Sequence, residues 1–481
     1  MASDTQWERL LHAAFGHALA YRCALPARSV AAPASTATML ERLGFGSPLP
    51  DEGQPPHAVL DELVRLAEPG LTAMAGPRFF GWVTGGTLPA ALAADWMTSA
   101  WDQNAGPGAG APAATAFELT ALAWCAKLLG LPAETRGALV TGAAAANFTC
   151  LASARTHVLE AAGWDVEQRG LFEAPRVRVL AGQERHETVD KALRLLGFGK
   201  QALALIEVDG QGRMTTESLR RELMSAGGPV IVCAQAGNVN SGSFDPLPEV
   251  AAAVAEYRRA HEDALAWLHI DGAFGLWARV APEKAALARG AELADSWATD
   301  AHKFLNVPYD AGIALSRHPR SQRRAMVAHG AYLSSGAYDA IAMPGAFAPE
   351  LSRRARGFAL WAALRQLGQQ GLASLLTRVC ELARQLAAEL SRAPGVSIHN
   401  DVVLNQVVAG FEPPRGTTAR DFTRDLVVAI QDEGTCYPTP TIWRGAPAIR
   451  FSVINAETRG EDIMRSAHAV IAVYTSHRVS R

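Results

Sequence analysis

The sequence lacks the features that mark membrane, secreted and nucleic-acid-binding proteins. No apolar run reaches the roughly 18 residues that a bilayer-spanning helix needs. The N-terminal stretch "MASDTQWERLLHAAFGHALA" carries acidic residues and helical periodicity instead of a signal-peptide pattern. The formal net charge of the 481 residues is only -2, which gives no electrostatic basis for binding nucleic acid or a membrane surface. We therefore expect a cytoplasmic protein that acts on small molecules.

Cysteine is scarce and scattered, with six residues and no Cys-x-x-Cys pair. This distribution fits neither the disulfide framework of a small secreted protein nor a structural zinc site. It is typical of reduced thiols in a cytosol, and we expect no structural metal. The chain also has no internal repeat of fixed period.

What the sequence does contain is an alternation of short apolar runs and helical stretches from about residue 137 onward. The runs are "GALVTG", "RVRVLAG", "LALIEVD", "PVIVCAQAG", "LAWLHIDGA", "SWATD" and "GIALSR". Apolar strands separated by helices are typical of a mostly parallel sheet with helices on both faces, so we predict an α/β fold. The prediction has three parts: an N-terminal helical arm (1–75), a large α/β domain (76–371) and a small C-terminal α+β domain (372–481).

The stretch "TAFELTALAWCAKLLG" carries the signals of a helix start and a helix end. Thr115 and Glu118 have the spacing of a capping box, and Gly130 has the position of a C-cap glycine. We therefore predict a helix that begins near Thr115 and ends at Gly130.

Polar side chains follow several of the predicted strands. His186 follows the strand that ends at Leu180, Asn238 follows "VCAQAG", Asp271 ends "LHID", and Lys303 follows "SWATD". Ligands of such sheets bind beyond the carboxyl ends of the strands, so these residues are predicted to share one edge with the helix that starts after "LVTG". Pyridoxal 5'-phosphate (PLP) needs a lysine for imine formation, a carboxylate at its pyridine nitrogen and helix-terminal N–H groups at its phosphate. PLP is the predicted cofactor.

Each of these residues also has an ordinary explanation. An aspartate after a strand is commonly an N-cap, a lone histidine is commonly a satisfied or exposed side chain, and a lysine in a loop is commonly solvated. It is their combination, in this order along the chain, that favours a cofactor site.

The same stretches resemble a known family. The sequence "HIDGAFG", followed by "DAHKFLNVPYDAG", with "GNVNSGSFDPL" before them and "PELSRRARG" after them, is similar to the group II PLP-dependent amino-acid decarboxylases. That family includes aromatic amino-acid, histidine and glutamate decarboxylases. The resemblance extends from "GPRFFGWVTGGTLPAALAADW" to "AIRFSVINAET" and implies the fold type I of PLP-dependent transferases.

The resemblance implies a role for the residues at the strand ends. Lys303 would form the Schiff base, and Asp271 would be the partner of the pyridine nitrogen. Ala273 would lie against one face of the ring, and His186 would stack on the other and orient the substrate carboxylate. His302 would lie near the phosphate.

Three further roles follow from the same resemblance. Asn238 would lie near the ring and the phosphate. Tyr332, in "GAYLSSG", matches a mobile-loop tyrosine that gives a proton to the substrate α-carbon, although Tyr338 could exchange roles with it. Arg450 matches an arginine near the substrate carboxylate; a structural ion pair is the alternative.

The predicted phosphate loop departs from the family pattern. Relatives usually have Ser-Gly-Gly-Thr-Glu-Ala-Asn where this chain has "TGAAAAN" (141–147). Gly142, Ala143 and Ala144 keep their backbone N–H groups, but the hydroxyl of the fourth position is missing. One lost hydrogen bond to a charged group costs about 1.5–3 kcal/mol, or roughly 10- to 150-fold in affinity. We expect weakened but not abolished cofactor binding.

The resemblance implies an enzyme that releases carbon dioxide from an L-amino acid and leaves the amine. Phe79, Phe80 and Trp82 match the substrate side-chain pocket and favour an aromatic or large apolar substrate, although a place in the core explains them equally well. Glutamate is the second choice. A PLP-dependent lyase, oxidase or aminotransferase on the same fold is an alternative, as is a relative that lost the cofactor and kept the fold.

A homodimer is the family expectation. The active site would lie at the subunit interface, where residues 101–104 and the loop that carries Tyr332 would enter from the partner chain.

Overall fold

The computed structural model describes residues 4–106, 108, 110–261, 265–327 and 343–479. Its centre is a seven-stranded sheet, and the seven apolar runs of the sequence are confirmed as its strands. The strands are β1 (Arg136–Val140), β2 (Arg178–Gly182), β3 (Leu203–Ile206), β4 (Val230–Gln235), β5 (Ala266–Asp271), β6 (Ser296–Asp300) and β7 (Gly312–Ser316). Their order in the sheet is β1-β7-β6-β5-β4-β2-β3.

The sheet is mostly parallel, as predicted. The neighbouring strands from β3 to β6 pair in parallel, and β7 runs antiparallel to both β6 and β1. The strands β1, β2, β4, β5 and β6 therefore all end at the same edge. This edge receives the residues that follow them in the chain.

Helices cover both faces of the sheet. The α-helices of the described residues, over the whole fold, are α1 (Asp4–Ala24), α2 (Thr36–Arg42), α3 (Pro56–Ala67), α4 (Pro89–Trp101), α5 (Pro112–Leu128), α6 (Ala143–Ala161), α7 (Val166–Arg169), α8 (Glu187–Leu195), α9 (Thr216–Met224), α10 (Leu247–Ala260), α11 (Pro319–Met326), α12 (Gly357–Leu390), α13 (Ala419–Glu433) and α14 (Gly460–Val479). Because side chains alternate along a strand, Val179, Ile231 and Trp267 pack against α6 and α8. Leu180 and Val232 point the other way and pack with α9 and α10.

The C-terminal part of the chain forms a second, antiparallel sheet. Its strands are β8 (Val396–Ile398), β9 (Gln406–Phe411), β10 (Thr439–Trp443) and β11 (Ala446–Ser452), in the order β10-β11-β9-β8. The predicted boundary at residue 371 falls inside α12, close to Gly368, where the helix has a non-helical φ of 60°. The division of the chain into three domains stays a prediction.

The predicted capping box at Thr115 and Glu118 is wrong, whereas the helix end is placed as predicted. Helix α5 begins at Pro112 without a side-chain cap, and Gly130 follows its C-cap with a φ of 60°. Glu118 is fully buried and pairs with the equally buried Arg353 at 2.8 Å. Its Oε1 also accepts a hydrogen bond from the Leu139 N–H. Glu118 thus joins "PELSRRARG" to the strand before the phosphate loop.

The N-terminal helices leave an apolar stripe exposed. Trp7, Leu11, Phe15 and Leu19 recur every fourth residue on α1 and are all exposed, so they lie along one side of the helix. In the part of the chain that the structure describes, no helix is long and apolar enough to cross a membrane.

Candidate active site

A cavity of about 300 Å³ lies at the edge where the parallel strands end. It is lined by Trp82, Val83, Gly142, Ala143, Ala144, His186, Thr188, Gln235, Gly237, Val239, Asp271, Ala273, Phe274, Asp300, His302, Lys303 and Tyr309. Nine of the thirteen residues predicted for the site are among them. A larger cavity of about 1280 Å³ lies between α5 and α11 and is lined by none of the predicted residues.

Lys303 enters this cavity from the loop after β6. Its Nζ lies 2.8 Å from Oδ2 of Asp300, the last residue of that strand. The lysine side chain is 17% exposed and the aspartate side chain 2%. The ammonium group also lies 5.9 Å from the centre of the Phe274 ring, within cation–π range. Sequence reasoning missed Asp300, although its place three residues before the lysine on an apolar strand was a usable signal.

The backbone of Lys303 is held by the amide of Asn306, which is fully buried. The Asn306 side chain donates to the carbonyls of Lys303, Phe304 and Ile454 and accepts from the N–H groups of Gly86 and Ala456. A Cβ at Gly85 would overlap the Lys303 carbonyl oxygen, so "GWVTGG" packs directly against the lysine loop. Three distant parts of the chain thus fix the position from which the lysine side chain extends.

Asp271 ends β5 and is 6% exposed. Its Oδ1 accepts a hydrogen bond from the Ala273 N–H at 3.3 Å, and its Oδ2 accepts one from Asn147 Nδ2 at 3.1 Å. The carboxylate faces the same cavity as Lys303. Asn147, the last residue of the quoted phosphate-loop stretch, was given no role from the sequence.

His186 is the N-cap of α8 and is exposed at the cavity. Its Nδ1 lies 2.9 Å from the Thr188 hydroxyl and accepts a hydrogen bond from the Thr188 N–H. Loss of hydration lowers the pKa of His186; the Asp271 carboxylate opposes this shift, and the cations Lys303 and Arg450 add to it. At neutral pH the ring is therefore uncharged.

The start of α6 closes the other end of the cavity. Ala143, its first residue, donates its N–H to Asp300 Oδ1 at 2.6 Å. The His302 ring stacks on Tyr309 at 4.2 Å, and a Cβ at Gly142 would lie 3.3 Å from His302 Cε1. Burial lowers the pKa of His302. His302 thus lies beside the start of α6, and its place near a phosphate stays a prediction.

The arrangement fits PLP at both ends. A lysine amine and a carboxylate face one cavity, and the N-terminus of α6, with an exposed Ala144, supplies backbone donors for a phosphate. The side chains of the loop add no hydroxyl there, and the Asp300 carboxylate already accepts the first N–H of the helix.

Three predicted residues, Phe80, Asn238 and Arg450, do not line the cavity. Phe80 is 1% exposed and packs against Phe451, with 6.3 Å between the ring centres, so the alternative of a core residue holds for it. Asn238 donates to the Glu184 carbonyl and accepts from the N–H groups of residues 240 and 241, which makes it the organiser of a turn. Tyr332 lies outside the described residues.

Arg450 is the third predicted residue that does not line the cavity. It is 8% exposed, and its Nη1 donates weakly to the Val239 carbonyl at 3.3 Å and to Asn240 Oδ1 at 3.5 Å. Burial lowers its pKa to about 10. Within the described ranges no carboxylate pairs with it, so the alternative of a structural ion pair finds no support.

Trp82 does line the cavity, and it is 55% exposed. Its φ is 48° and that of Val83 is 59°. A left-handed backbone is costly for a β-branched residue and tends to occur at functional sites. The Trp82 ring lies 5.8 Å from Phe79 and 5.9 Å from Tyr437, so an aromatic group forms one side of the cavity mouth.

Comparison with known proteins agrees with this geometry. Residues 41–411 match the pyridoxal-dependent decarboxylase conserved domain. The aromatic-L-amino-acid decarboxylase of Bacillus atrophaeus is 27% identical over 433 residues, which cover 87% of this chain and 85% of that protein. The phenylacetaldehyde synthase of Arabidopsis thaliana is 24% identical over 448 residues, covering 89% and 88%.

Solved structures show the same fold. The structure of Oryza sativa TDC with PLP and tryptamine matches with a TM-score of 0.88 at 23% identity and covers 99% of both chains. The family match spans most of the chain, and the cavity holds the lysine and carboxylate that the cofactor of this family requires. The chain therefore belongs to the pyridoxal-dependent decarboxylase family, and it is a PLP-dependent enzyme that decarboxylates an amino acid.

Proposed function

We propose that the substrate is an aromatic or large apolar L-amino acid and that the residues around this cavity carry out its decarboxylation. The observation that carries the substrate assignment is the cavity wall, to which Trp82, Val83, Phe274 and Tyr309 supply apolar and aromatic surface. Of the described residues that line the cavity, Lys303 is the only lysine or arginine, and it pairs with Asp300. A pocket for an acidic side chain would need a further cation.

PLP, when bound, supplies an electron-accepting ring that takes up the electron pair of the bond between the substrate α-carbon and its carboxylate. Lys303 is proposed to hold the cofactor and to be displaced by the substrate amine. Asp271 is proposed to keep the pyridine nitrogen protonated, which maintains the electron-accepting state. Ala273 and the uncharged His186 ring would enclose the two ring faces and exclude water from them.

Arg450 supports the proposed position of the substrate carboxylate. A buried guanidinium without a carboxylate partner is costly, and the substrate can supply that partner. Both Arg450 and Lys303 lower the pKa of His186, which supports a common location of the two cations and the imidazole ring. Arg450 and His186 together are proposed to orient the carboxylate so that the breaking bond is perpendicular to the ring.

Tyr332 is proposed to protonate the substrate α-carbon after carbon dioxide leaves. The Tyr332→Phe variant is expected to make less amine and to form aldehyde with hydrogen peroxide, because a long-lived carbanion can react with oxygen. Unchanged product ratios would show that Tyr332 is misassigned. The Tyr338→Phe variant is the matched control, since Tyr338 is the other tyrosine of this stretch.

Oxidative conversion to an aldehyde is the second candidate function. The Arabidopsis relative, a phenylacetaldehyde synthase, has a similar degree of identity to the decarboxylase relative. The presence of Tyr332 favours simple decarboxylation, because the proton donor would quench the carbanion before oxygen reacts.

We also infer a cytoplasmic homodimer. The exposed stripe Trp7, Leu11, Phe15 and Leu19 is an apolar face of the kind that a second copy covers. All six cysteines are free, and five of them are buried, which suits a reducing compartment. Sedimentation of the purified protein tests the dimer, and a fully active monomer would contradict it.

The function is tested with a panel of L-amino acids and the PLP-supplemented protein, with carbon dioxide, amine, aldehyde and hydrogen peroxide measured together. Equimolar carbon dioxide and amine from an aromatic or large apolar member is the expected result. A preference for glutamate would overturn the substrate assignment, and aldehyde with peroxide would favour the oxidative alternative.

A further inference from the structure

Asn147 connects the two residues that are proposed to hold the cofactor ring. It lies one turn inside α6, and its side chain is fully buried. Its Nδ2 lies 3.1 Å from Asp271 Oδ2 and 3.1 Å from the Thr188 hydroxyl, and its Oδ1 lies 2.8 Å from His269 Nε2. The amide thereby uses both of its N–H bonds and its carbonyl oxygen.

Hydrogen-bonding chemistry sets the direction of these contacts. An ionised aspartate only accepts hydrogen bonds, so the NH2 group of Asn147 faces Asp271 and its oxygen faces His269. The His269 Nε2 must then carry the hydrogen. Its Nδ1 then carries no hydrogen and accepts a hydrogen bond from the Ser296 hydroxyl at 2.8 Å. The Ser296 oxygen in turn accepts a hydrogen bond from Trp267 Nε1 at 2.9 Å.

The neutral state of His269 preserves this direction. Burial lowers the pKa of His269 to about 4, and the Asp271 charge opposes the shift. A second ring hydrogen would face the Ser296 hydroxyl, whose own hydrogen would then lose its acceptor. At neutral pH the chain from Trp267 through Ser296 and His269 to Asn147 therefore donates in one direction.

The second N–H of Asn147 leads to His186. The Thr188 oxygen accepts from Asn147, so its single hydrogen is free to donate to His186 Nδ1 at 2.9 Å. One amide therefore reaches Asp271 directly and His186 through one hydroxyl.

We propose that Asn147 is a positioning residue that sets the Asp271 carboxylate and the His186 ring relative to each other, and that His269 fixes the orientation of its amide. The inference rests on the proposed cofactor-binding roles of Asp271 and His186. Neither Asn147 nor His269 lines the cavity, so both act through the residues that do.

The test compares five variants: Asn147→Leu, Asn147→Asp, His269→Leu, His269→Gln and the control His157→Leu. The Gln amide nitrogen reaches the place of a histidine Nε2 and can still donate to Asn147. His157 is the control because it is a partly buried histidine whose pKa is also lowered to about 4 and whose ring contacts Trp267, while its Nδ1 faces Ser321 instead of the site.

The readouts are the affinity of the apoprotein for PLP, measured by the change in tryptophan fluorescence, the melting temperature of the apoprotein, and kcat separately from KM. Asn147→Leu is expected to weaken PLP binding about tenfold or more and to lower kcat, because a hydrogen bond to a charged group is lost. Asn147→Asp is expected to weaken it further, since two carboxylates would face each other.

The pair at residue 269 keeps the test decisive if the Asn147 variants fail to fold. His269→Gln is expected to retain more PLP affinity than His269→Leu, and His157→Leu is expected to keep the affinity of the natural protein. The proposal is overturned if Gln rescues nothing at residue 269, or if Asn147→Leu folds and binds PLP normally. Normal turnover of an Asp271→Ala variant would instead refute the role of Asp271, which separates the two failures.

Discussion

The two ends of the cavity are built in different ways. At the Asp271 end, the carboxylate is backed by buried side chains: Ser296 donates to His269, His269 donates to Asn147, and Asn147 donates to Asp271. At the α6 end, Gly142, Ala143 and Ala144 line the cavity, and the Ala143 N–H is already bonded to Asp300. Binding strength at the first end depends on side chains, whereas at the second it depends on the helix N-terminus. We infer that binding at the proposed site of the PLP ring relies on side chains more than binding at the proposed site of its phosphate does.

The largest effect is expected from Lys303→Ala, which removes the proposed covalent link and leaves the two ends of the cavity to hold PLP alone. Turnover should fall to near zero, and PLP should be retained noncovalently at most. Carbon dioxide release and borohydride fixation of PLP to the protein measure this. Lys191→Ala, an exposed lysine on α8, is the control. Normal activity of Lys303→Ala would end the proposed mechanism.

The second largest effect is expected from Asp271→Asn, which removes the carboxylate at the Asp271 end of the cavity and leaves the α6 end unchanged. An amide cannot keep the pyridine nitrogen protonated, so kcat should drop about 100- to 1000-fold, as for loss of an electrostatic group in an active site. Steady-state kinetics with the preferred amino acid measure the drop. Asp190→Asn, which breaks a half-exposed ion pair with Arg185, serves as the control. An equal loss in both variants would count against a specific role.

A smaller effect concerns how the free energy of unfolding depends on the protonation of His269, behind the Asp271 end of the cavity. The pKa of His269 is about 4 in the folded protein against 6.5 ordinarily, so between these values the unfolded chain binds a proton that the folded chain does not. The free energy of unfolding should therefore decrease as the pH is lowered. His269 alone should account for a decrease of about 2 kcal/mol from pH 7 to pH 5. Urea unfolding at both pH values tests this, and His269→Gln should flatten the dependence. An unchanged slope in that variant would show that His269 does not titrate as described.

The smallest expected effect is a gain in PLP affinity from a change at the α6 end of the cavity. Ala144→Ser places a hydroxyl at an exposed position of the cavity wall and should tighten PLP binding about tenfold, which would narrow the difference between the two ends. Equilibrium titration of the apoprotein measures it. Ala161→Ser, at the far end of the same helix, adds the same group away from the cavity. Equal affinities of the two variants would mean that the missing hydroxyl is not what limits binding.

Much of the architecture was predictable because strands that are buried on both faces consist of continuous runs of apolar residues. All seven strands of the central sheet were found in this way, and the polar residues that follow them do meet at one edge. Glu118 shows where local signals fail. Its spacing from Thr115 predicts a cap, but the buried Arg353, 235 residues later in the chain, provides a stronger partner.

The site was predictable only where a residue lies in a recognisable stretch and also faces the cavity. Phe80 and Asn238 lie in such stretches, yet the side chain of Phe80 packs in the core and that of Asn238 holds a turn. Asp300 and Asn147 lie in quoted stretches too, and their contacts with Lys303 and Asp271 became visible only when the strands were placed side by side.

The sequence by itself determined the strand-and-helix alternation, the chemistry available at the strand ends and the missing hydroxyl of the phosphate loop, because each depends on residue types within a short stretch. Tertiary structure decided which of those residues share the cavity, which amide donates to the Asp271 carboxylate, and that Arg450 is buried without a carboxylate partner among the described residues. These properties depend on distances between residues far apart in the chain, and only packing sets such distances.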